Sequence, residues 1–146
     1  MRRVCVIVLL AGALGCDSAT GPVRLTSPAD VQLKIGQAAV VDGQLTVRFV
    51  GVVSDSRCPA GAMCFWGGDA EVAITLSLDG GAAAPDTLHT MPGSSALTTM
   101  AYVVSLVALT PYPQTTAPIP ADQYEARLHL VGLGTLTSTA AASPRR

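Results

Sequence analysis

The chain is predicted to have an all-β fold, and three features of the sequence support this prediction. Apolar and polar residues alternate with a period of two over much of residues 31–133, the pattern of strands that bury one face. No segment shows the 3.6-residue periodicity of an amphipathic helix. Turn-forming glycines and prolines separate the alternating segments. A chain of 146 residues has room for one such domain.

The candidate strands follow one another along the chain. The alternation is clearest in residues 31–35, 45–49, 70–78 and 124–130. Residues 102–109 are apolar on both faces, which is typical of a central strand. We therefore expect an antiparallel β-sandwich of about seven strands with an immunoglobulin-like arrangement, and a small β-barrel as the alternative.

The segments between these strands contain clear turn signals. Asp42-Gly43 lies between two apolar runs, a strong signal for a type I′ hairpin. Residues 79–81 (Asp-Gly-Gly) indicate a second turn. Residues 111–122 contain four prolines and are predicted to form a long irregular loop, called here the proline-rich loop. Residues 134–146 form a small, polar tail that is predicted to be disordered.

Residues 1–15 are predicted to be a signal peptide. A short basic start is followed by eleven apolar residues, 4–14. This run is too short for a membrane-spanning helix, which needs about 20 residues, but it suits the core of a secretory signal. Cys5 lies within the run and is expected to be removed with it.

Cys16 is the predicted site of a lipid. Residues 13–16 (Ala-Leu-Gly-Cys) resemble a bacterial lipobox, in which cleavage precedes the cysteine and its thiol receives a diacylglycerol. The alternative is ordinary cleavage after residues 11–13 (Ala-Gly-Ala). Lipid on Cys16 would leave Cys58 and Cys64 as an even pair in an oxidising compartment. The sequence thus predicts a stable membrane anchor, followed by a flexible tether over residues 16–30 with a reach of roughly 20 Å.

The most distinctive segment is residues 55–70, Asp-Ser-Arg-Cys-Pro-Ala-Gly-Ala-Met-Cys-Phe-Trp-Gly-Gly-Asp-Ala. Two cysteines around proline and glycine suit a tight disulfide loop in an exported protein, with a stabilisation of roughly 2 kcal/mol. Asp55 is expected to accept backbone N–H bonds and to pair with Arg57. Trp66 is placed to cover the disulfide or one end of the core, and Gly67-Gly68 to permit a bulge.

This segment resembles a group of small exported bacterial lipoproteins. They carry Asp-Ser-Arg-Cys-Pro, then a second cysteine, then tryptophan and glycine, and often Pro-Tyr-Pro after a hydrophobic strand, here residues 111–113. The resemblance spans most of residues 31–133. It implies an exported, lipid-anchored domain and implies no activity.

Two interpretations of the disulfide loop remain open. A disulfide beside a tryptophan is more often structural, but the same loop can be a rigid binding edge. Arginine and aromatic residues are favoured at interaction hot spots. The candidate binding residues are therefore Asp55, Arg57, Phe65, Trp66 and Tyr112.

The sequence lacks the usual signatures of catalysis, and we predict a protein that is not an enzyme. The two histidines, His89 and His129, lie on separate candidate strands, and neither a zinc motif nor a nucleophile elbow occurs, so we expect no metal and no cofactor. A carboxylate pair at Asp69 and Glu71 is a rival enzymatic hypothesis. The two cysteines do not have the C-x-x-C spacing of redox motifs.

The charge balance excludes a nucleic-acid binder that depends on neutralising phosphates, because the net charge is −1 and no basic patch is present. The sequence therefore predicts a lipid-anchored extracytoplasmic binding or structural module of the bacterial envelope. Its expected partners are the membrane, through the lipid, and an envelope protein. The alternative is an inhibitor of an extracytoplasmic hydrolase that presents a disulfide-stiffened loop.

Overall fold

The computed structural model of the chain describes residues 21–99 and 101–134. The described residues form nine strands and one short 3₁₀ turn. In chain order these are β1 (Val23–Leu25), β2 (Ala29–Lys34), β3 (Ala38–Val41), β4 (Leu45–Asp55), β5 (Ala70–Leu78), β6 (Ala84–His89), β7 (Ala96–Thr98), β8 (Tyr102–Thr110), the 3₁₀ turn (Ala121–Gln123) and β9 (Glu125–Gly132).

The strands make two separate sheets. One sheet has the order β1-β3-β4-β5-β6, and the other has the order β2-β9-β8-β7. Neighbouring strands are antiparallel except for β1 and β3, which run parallel. Both sheets are open, so the predicted β-sandwich is confirmed and the alternative of a closed barrel is wrong.

The core lies between the two sheets and is made by alternate residues of each strand. In β2, for example, Val31 and Leu33 are buried whereas Gln32 and Lys34 are exposed. The largest side chains of the core are fully buried and come from both sheets: Phe49, Leu33, Leu45, Ile74, Leu88, Leu128 and Leu130. Their removal from water is the main source of the sandwich's stability.

Both predicted tight turns are present. Asp42 and Gly43 have positive φ angles of 53° and 73°, and the Gln44 N–H donates to the Val41 carbonyl at 3.0 Å. Asp79 and Gly80 repeat this geometry between β5 and β6. Positive φ at both central residues is what a type I′ turn requires, which explains why Asp-Gly stands at each position.

A hydrogen-bonded contact joins the two sheets at the end where these turns lie. The Tyr102 hydroxyl, at the start of β8, is 3.2 Å from the Asp42 carboxylate and 3.2 Å from the Gln44 side-chain oxygen. Tyr102 is buried. Burial and the neighbouring Asp42 raise the pKa of Tyr102 above its ordinary value.

The structure differs from the sequence prediction at the start of the domain. The tether was expected to extend to residue 30, but Val23–Leu25 form β1 and β2 begins at Ala29. The register pairs β1 with β3, and the Ser27 N–H donates to the Asp42 carboxylate at 2.9 Å. Pro22 and Pro28 flank β1 without interrupting it, so the prolines do not prevent a short edge strand.

Strands β6 and β7 were not among the predicted alternating segments. Strand β6 contains Pro85 and lies at the edge of its sheet. Proline is tolerated on an edge strand because one side of that strand needs no ladder donor. Strand β7 is only three residues long, too short for a periodic signal.

Some predictions concern residues outside the described ranges. These are the signal peptide, the lipid site at Cys16, the first part of the tether up to residue 20 and the tail from residue 135. Within the described ranges, none of the helical structure has the length and apolar character needed to cross a bilayer.

Candidate functional site

The disulfide loop, residues 56–69, connects β4 to β5 at the end of the sandwich opposite the two tight turns. Cys58 and Cys64 form the predicted disulfide. Two backbone hydrogen bonds continue the β4–β5 pairing into the loop. The Ser56 N–H donates to the Asp69 carbonyl at 2.7 Å, and the Cys58 N–H donates to the Gly67 carbonyl at 2.9 Å. The loop is therefore braced by both a covalent and a hydrogen-bonded closure.

Arg57 joins the disulfide loop to the opposite sheet. Its Nε and Nη2 donate to the two Asp55 carboxylate oxygens at 2.9 and 2.6 Å. Its Nη1 donates to the Leu109 carbonyl at 2.7 Å, and Nη2 also donates to the Pro111 carbonyl at 3.0 Å. This planar, two-pronged geometry is specific to arginine. The guanidinium thus ties the end of β4 to the end of β8.

Two tyrosines complete this arrangement. The Tyr112 ring lies 5.3 Å from the Arg57 guanidinium, a cation–π distance. The Tyr124 hydroxyl donates to the Asp55 carboxylate at 2.9 Å. The Ala60 N–H also donates to the Pro113 carbonyl at 2.9 Å. The disulfide loop and the proline-rich loop are therefore held as one unit.

The predicted pairing of Asp55 with Arg57 is present, and it turns both side chains inward. Arg57 is only 8% exposed, and the Asp55 side chain is 10% exposed. Both had been included among the candidate binding residues. Their polar atoms are instead engaged within the molecule, so these two residues position the loops while more exposed residues form the surface.

Hydrogen bonds set the charge state of Asp55. Burial alone would raise its pKa, but hydrogen bonds from Arg57 and Tyr124 outweigh burial and hold the pKa below the ordinary value of 3.8. The same network has the reverse effect on Tyr124, whose pKa is raised by burial and by its bond to Asp55.

Asp55 is expected to make the stability of the fold depend on pH under acidic conditions. Because its pKa is lower in the folded state, its ionisation stabilises the fold above about pH 4 and this stabilisation is lost as the pH falls through the lowered value. We expect Asp55→Asn to make the free energy of unfolding less steeply dependent on pH below pH 4, as measured by urea denaturation at several pH values. The matched control is the exposed Asp122→Asn, which should follow the wild-type curve; identical slopes for all three proteins would contradict this account.

A cleft lies between β4 and the proline-rich loop. Its volume is about 450 Å³, within the usual range for ligand sites. One wall is formed by six consecutive residues, 52–57, and the other by residues that include Pro113, Thr116 and Ile119. A cleft against the face of a strand would meet every second residue. Contact with consecutive residues indicates that this cleft follows the edge of β4 over residues 52–55 and continues along residues 56 and 57 of the disulfide loop.

That edge of β4 is unpaired. Strand β3 pairs with β4 only from Leu45 to Arg48, and the next backbone contacts on this side are made by Phe49 with the turn before β3. Beyond Phe49, no strand in the described part of the chain pairs with this side of β4. The register of β4 against β5 also shifts twice, between Phe49 and Gly51 and between Val52 and Ser54. Among the described residues, this edge of β4 therefore has no partner strand where it borders the cleft.

The tip of the disulfide loop is the most exposed apolar surface at this end. Met63 is 103% exposed, Phe65 105% and Trp66 69%; these three side chains are called the apolar tip. Trp66 had been expected to cover the disulfide or one end of the core, but its exposure excludes the second role. Of the candidate binding residues, Phe65 and Trp66 are thus at the surface, and Tyr112 is partly exposed beside Arg57.

Both loops lack charged residues over most of their length. Residues 58–68 and 110–121 contain no Asp, Glu, Lys, Arg or His. The charged pair nearest to the cleft is Asp55 with Arg57, whose charges compensate one another. The surface formed by the two loops is therefore neutral, and it suits partners that do not depend on charge.

Asp69, proposed with Glu71 as a catalytic pair, has three partners. Its carboxylate is 2.6 Å from His89 Nδ1 and accepts hydrogen bonds from the Thr90 hydroxyl and the Met91 N–H, both at 2.9 Å. Burial would raise the pKa of Asp69, but these bonds lower it. The carboxylate thus organises the turn after β6. Within residues 21–99 and 101–134, no group of three potential metal ligands is assembled.

Sequence reasoning missed two parts of this site. Tyr124 was identified only as the start of a strand, whereas its hydroxyl donates to Asp55, 69 positions earlier in the chain. The free edge of β4 was missed because the predicted strand ended at residue 49. The signal was the loss of alternation in residues 50–53 (Val-Gly-Val-Val), which reflects the two register shifts.

Comparisons with protein-family models, with curated proteins and with solved structures gave no match to this chain.

Proposed function

We propose that this protein is a lipid-anchored extracytoplasmic binding module of the bacterial envelope, and that its cleft binds an extended segment of a partner protein. The observation that carries the proposal is the unpaired edge of β4 along the cleft. An exposed strand edge binds an extended peptide through main-chain hydrogen bonds, and adjacent pockets select its side chains. The opposite wall includes Pro113 and Pro118, which have no backbone N–H to donate to that edge.

The chemistry of the cleft indicates the kind of segment that fits. Its walls are uncharged apart from the internally compensated Asp55–Arg57 pair. A charged side chain would lose hydration there without gaining an opposite charge. Val53 and Ile119 offer apolar contacts, and Thr116 offers a hydroxyl. The proposed ligand is therefore an extended, uncharged segment.

Export and anchoring rest on the sequence. The apolar run of residues 4–14, the lipobox-like residues 13–16 and the lipoprotein-like motif around the disulfide support them. Because β1 begins at Val23, six residues lie between it and Cys16, and this segment has a maximal reach of about 25 Å. The anchor would therefore hold the domain close to the bilayer.

Site-specific crosslinking in native envelopes tests the binding proposal. A photo-crosslinking amino acid replaces Val53, an exposed residue that lines the cleft. The control position is Val50, which is also exposed on β4 but lies outside the cleft. We expect position 53, but not position 50, to yield one discrete product whose crosslinked peptide is uncharged. Equal background at both positions would show that the cleft has no partner.

The alternative function, inhibition of an extracytoplasmic hydrolase, is favoured by one observation: Phe65 is fully exposed on a loop closed by a disulfide. A crosslinker at position 65 should then capture a hydrolase, and the purified protein should inhibit it. Capture at position 53 without inhibition favours the binding module.

A further inference from the structure

The apolar tip has a composition that is unusual for a surface exposed to water. Methionine, phenylalanine and tryptophan occur within four residues, and all three side chains are exposed. The disulfide and the backbone hydrogen bonds brace the loop that carries these side chains. Tryptophan is enriched at the boundary between a bilayer and water, and tryptophan and phenylalanine are typical of the apolar faces that segments bury at this boundary.

Charge distinguishes the two ends of the sandwich. At the end of the tip, residues 58–68 and 110–121 are uncharged, Asp69 is paired with His89, and Asp122 is exposed at the end of the proline-rich loop. The opposite end carries Asp42 and Asp79 in its two tight turns. The tip itself can therefore approach a lipid surface without bringing a charged side chain to it.

The path of the chain allows the lipid on Cys16 to lie at the same end of the sandwich as the apolar tip. Strand β1 is parallel to β3 and therefore antiparallel to β4, and Val23 lies level with Ala39 and Val47. Moving upstream from Val23 thus leads towards the Asp55 end of β4. From Val47 to Asp55 the strand rises about 26 Å, and the seven chain steps from Cys16 to Val23 span at most about 25 Å. A lipid on Cys16 can therefore lie about level with the start of the disulfide loop.

We propose that the apolar tip inserts into the interfacial layer of the lipid bilayer and is a second membrane contact beside the lipid on Cys16. The proposal rests on the proposed anchor for the orientation of the domain, whereas the tip's affinity for lipid is a property of Met63, Phe65 and Trp66 themselves. The contact is apolar, so it needs no anionic lipid. It holds the cleft beside the bilayer surface, where segments of envelope proteins close to the membrane are accessible.

The test uses the intrinsic fluorescence of Trp66, the single tryptophan of the sequence. The full-length lipidated protein is reconstituted into phosphatidylcholine vesicles, with and without brominated acyl chains and with and without added phosphatidylglycerol. We expect emission at shorter wavelength than in lipid-free buffer, quenching by brominated lipid and protection from acrylamide, with little effect of phosphatidylglycerol. Met63→Ser/Phe65→Ser should reduce the quenching by brominated lipid several-fold.

The control is Leu78→Ser, which removes an exposed apolar side chain at the opposite end of the sandwich and should leave the quenching unchanged. If the protein floats with the vesicles while Trp66 remains fully accessible to acrylamide, the tip proposal is overturned and the anchor stands. If the protein does not float, the anchor proposal fails. Excess vesicles then test the tip directly, and an unchanged Trp66 spectrum overturns that proposal too. Capture of a hydrolase at position 65 would assign the tip to a protein instead.

Discussion

Replacing Arg57 by alanine is expected to lower the free energy of unfolding by about 3–5 kcal/mol. The change leaves the Asp55 carboxylate buried without its positive partner, and it removes the donors to the Leu109 and Pro111 carbonyls. Removing one partner of a buried ion pair is costly because the remaining charge keeps its desolvation penalty. Urea denaturation at neutral pH measures the loss.

Two variants establish that the loss comes from this network. Arg127→Ala removes an exposed arginine from β9 and should change the free energy of unfolding by no more than about 0.5 kcal/mol. Arg57→Lys keeps the charge but lacks the planar fork that serves both Asp55 and the carbonyls, so its effect should be intermediate. A loss below about 1 kcal/mol for Arg57→Ala would show that the buried pair contributes little.

Gly68→Ala is expected to cost about 2–5 kcal/mol, from strain in the left-handed region and from overpacking. Gly68 has a φ of +70°. A Cβ atom at this position would lie 1.9 Å from the Ser56 carbonyl oxygen and 2.9 Å from the Arg57 Cα. Both atoms belong to the backbone, so neither can rotate away. The close approach of the two arms of the disulfide loop therefore requires glycine.

The neighbouring glycine provides a matched control for this prediction. A Cβ atom on Gly67 would meet nothing within 4 Å, and Gly67 does not have a positive φ. Gly67→Ala should therefore leave stability unchanged or raise it by up to about 1 kcal/mol, measured in the same denaturation experiment. Similar losses for the two variants would mean that the clash at Gly68 is relieved by movement of the loop.

Much of the fold could be predicted from the sequence because the information lies in short segments. Alternation with a period of two identifies the face of a strand that is buried, as in β2 and β9. Asp-Gly pairs identify type I′ turns because only a few residues accept positive φ. The strands that the alternation did not identify were missed for physical reasons as well. Strands β1 and β7 are three residues long, and Pro85 is not typical of a strand, although an edge strand such as β6 tolerates it.

The candidate site was only partly predictable, because its decisive contacts are distant in sequence. The pairing of Asp55 with Arg57 could be inferred, since only one residue separates them in the sequence. The bonds from Arg57 to Leu109 and Pro111 join residues more than 50 positions apart. They reverse the expected role of Arg57, from contacting a partner to holding two loops together. The sequence likewise contains no local sign that β3 would stop short of the end of β4.

The bonds between the sheets have a consequence for cooperativity. Arg57 connects the two layers at one end of the sandwich, and Tyr102 connects them at the other. Neither the disulfide loop nor the proline-rich loop can loosen without also releasing contacts that hold the two sheets together. The binding end and the core should therefore melt in a single transition. A ligand that binds only the folded form then stabilises the whole domain by mass action. The melting temperature of the intact protein can therefore reveal a ligand before its identity is known.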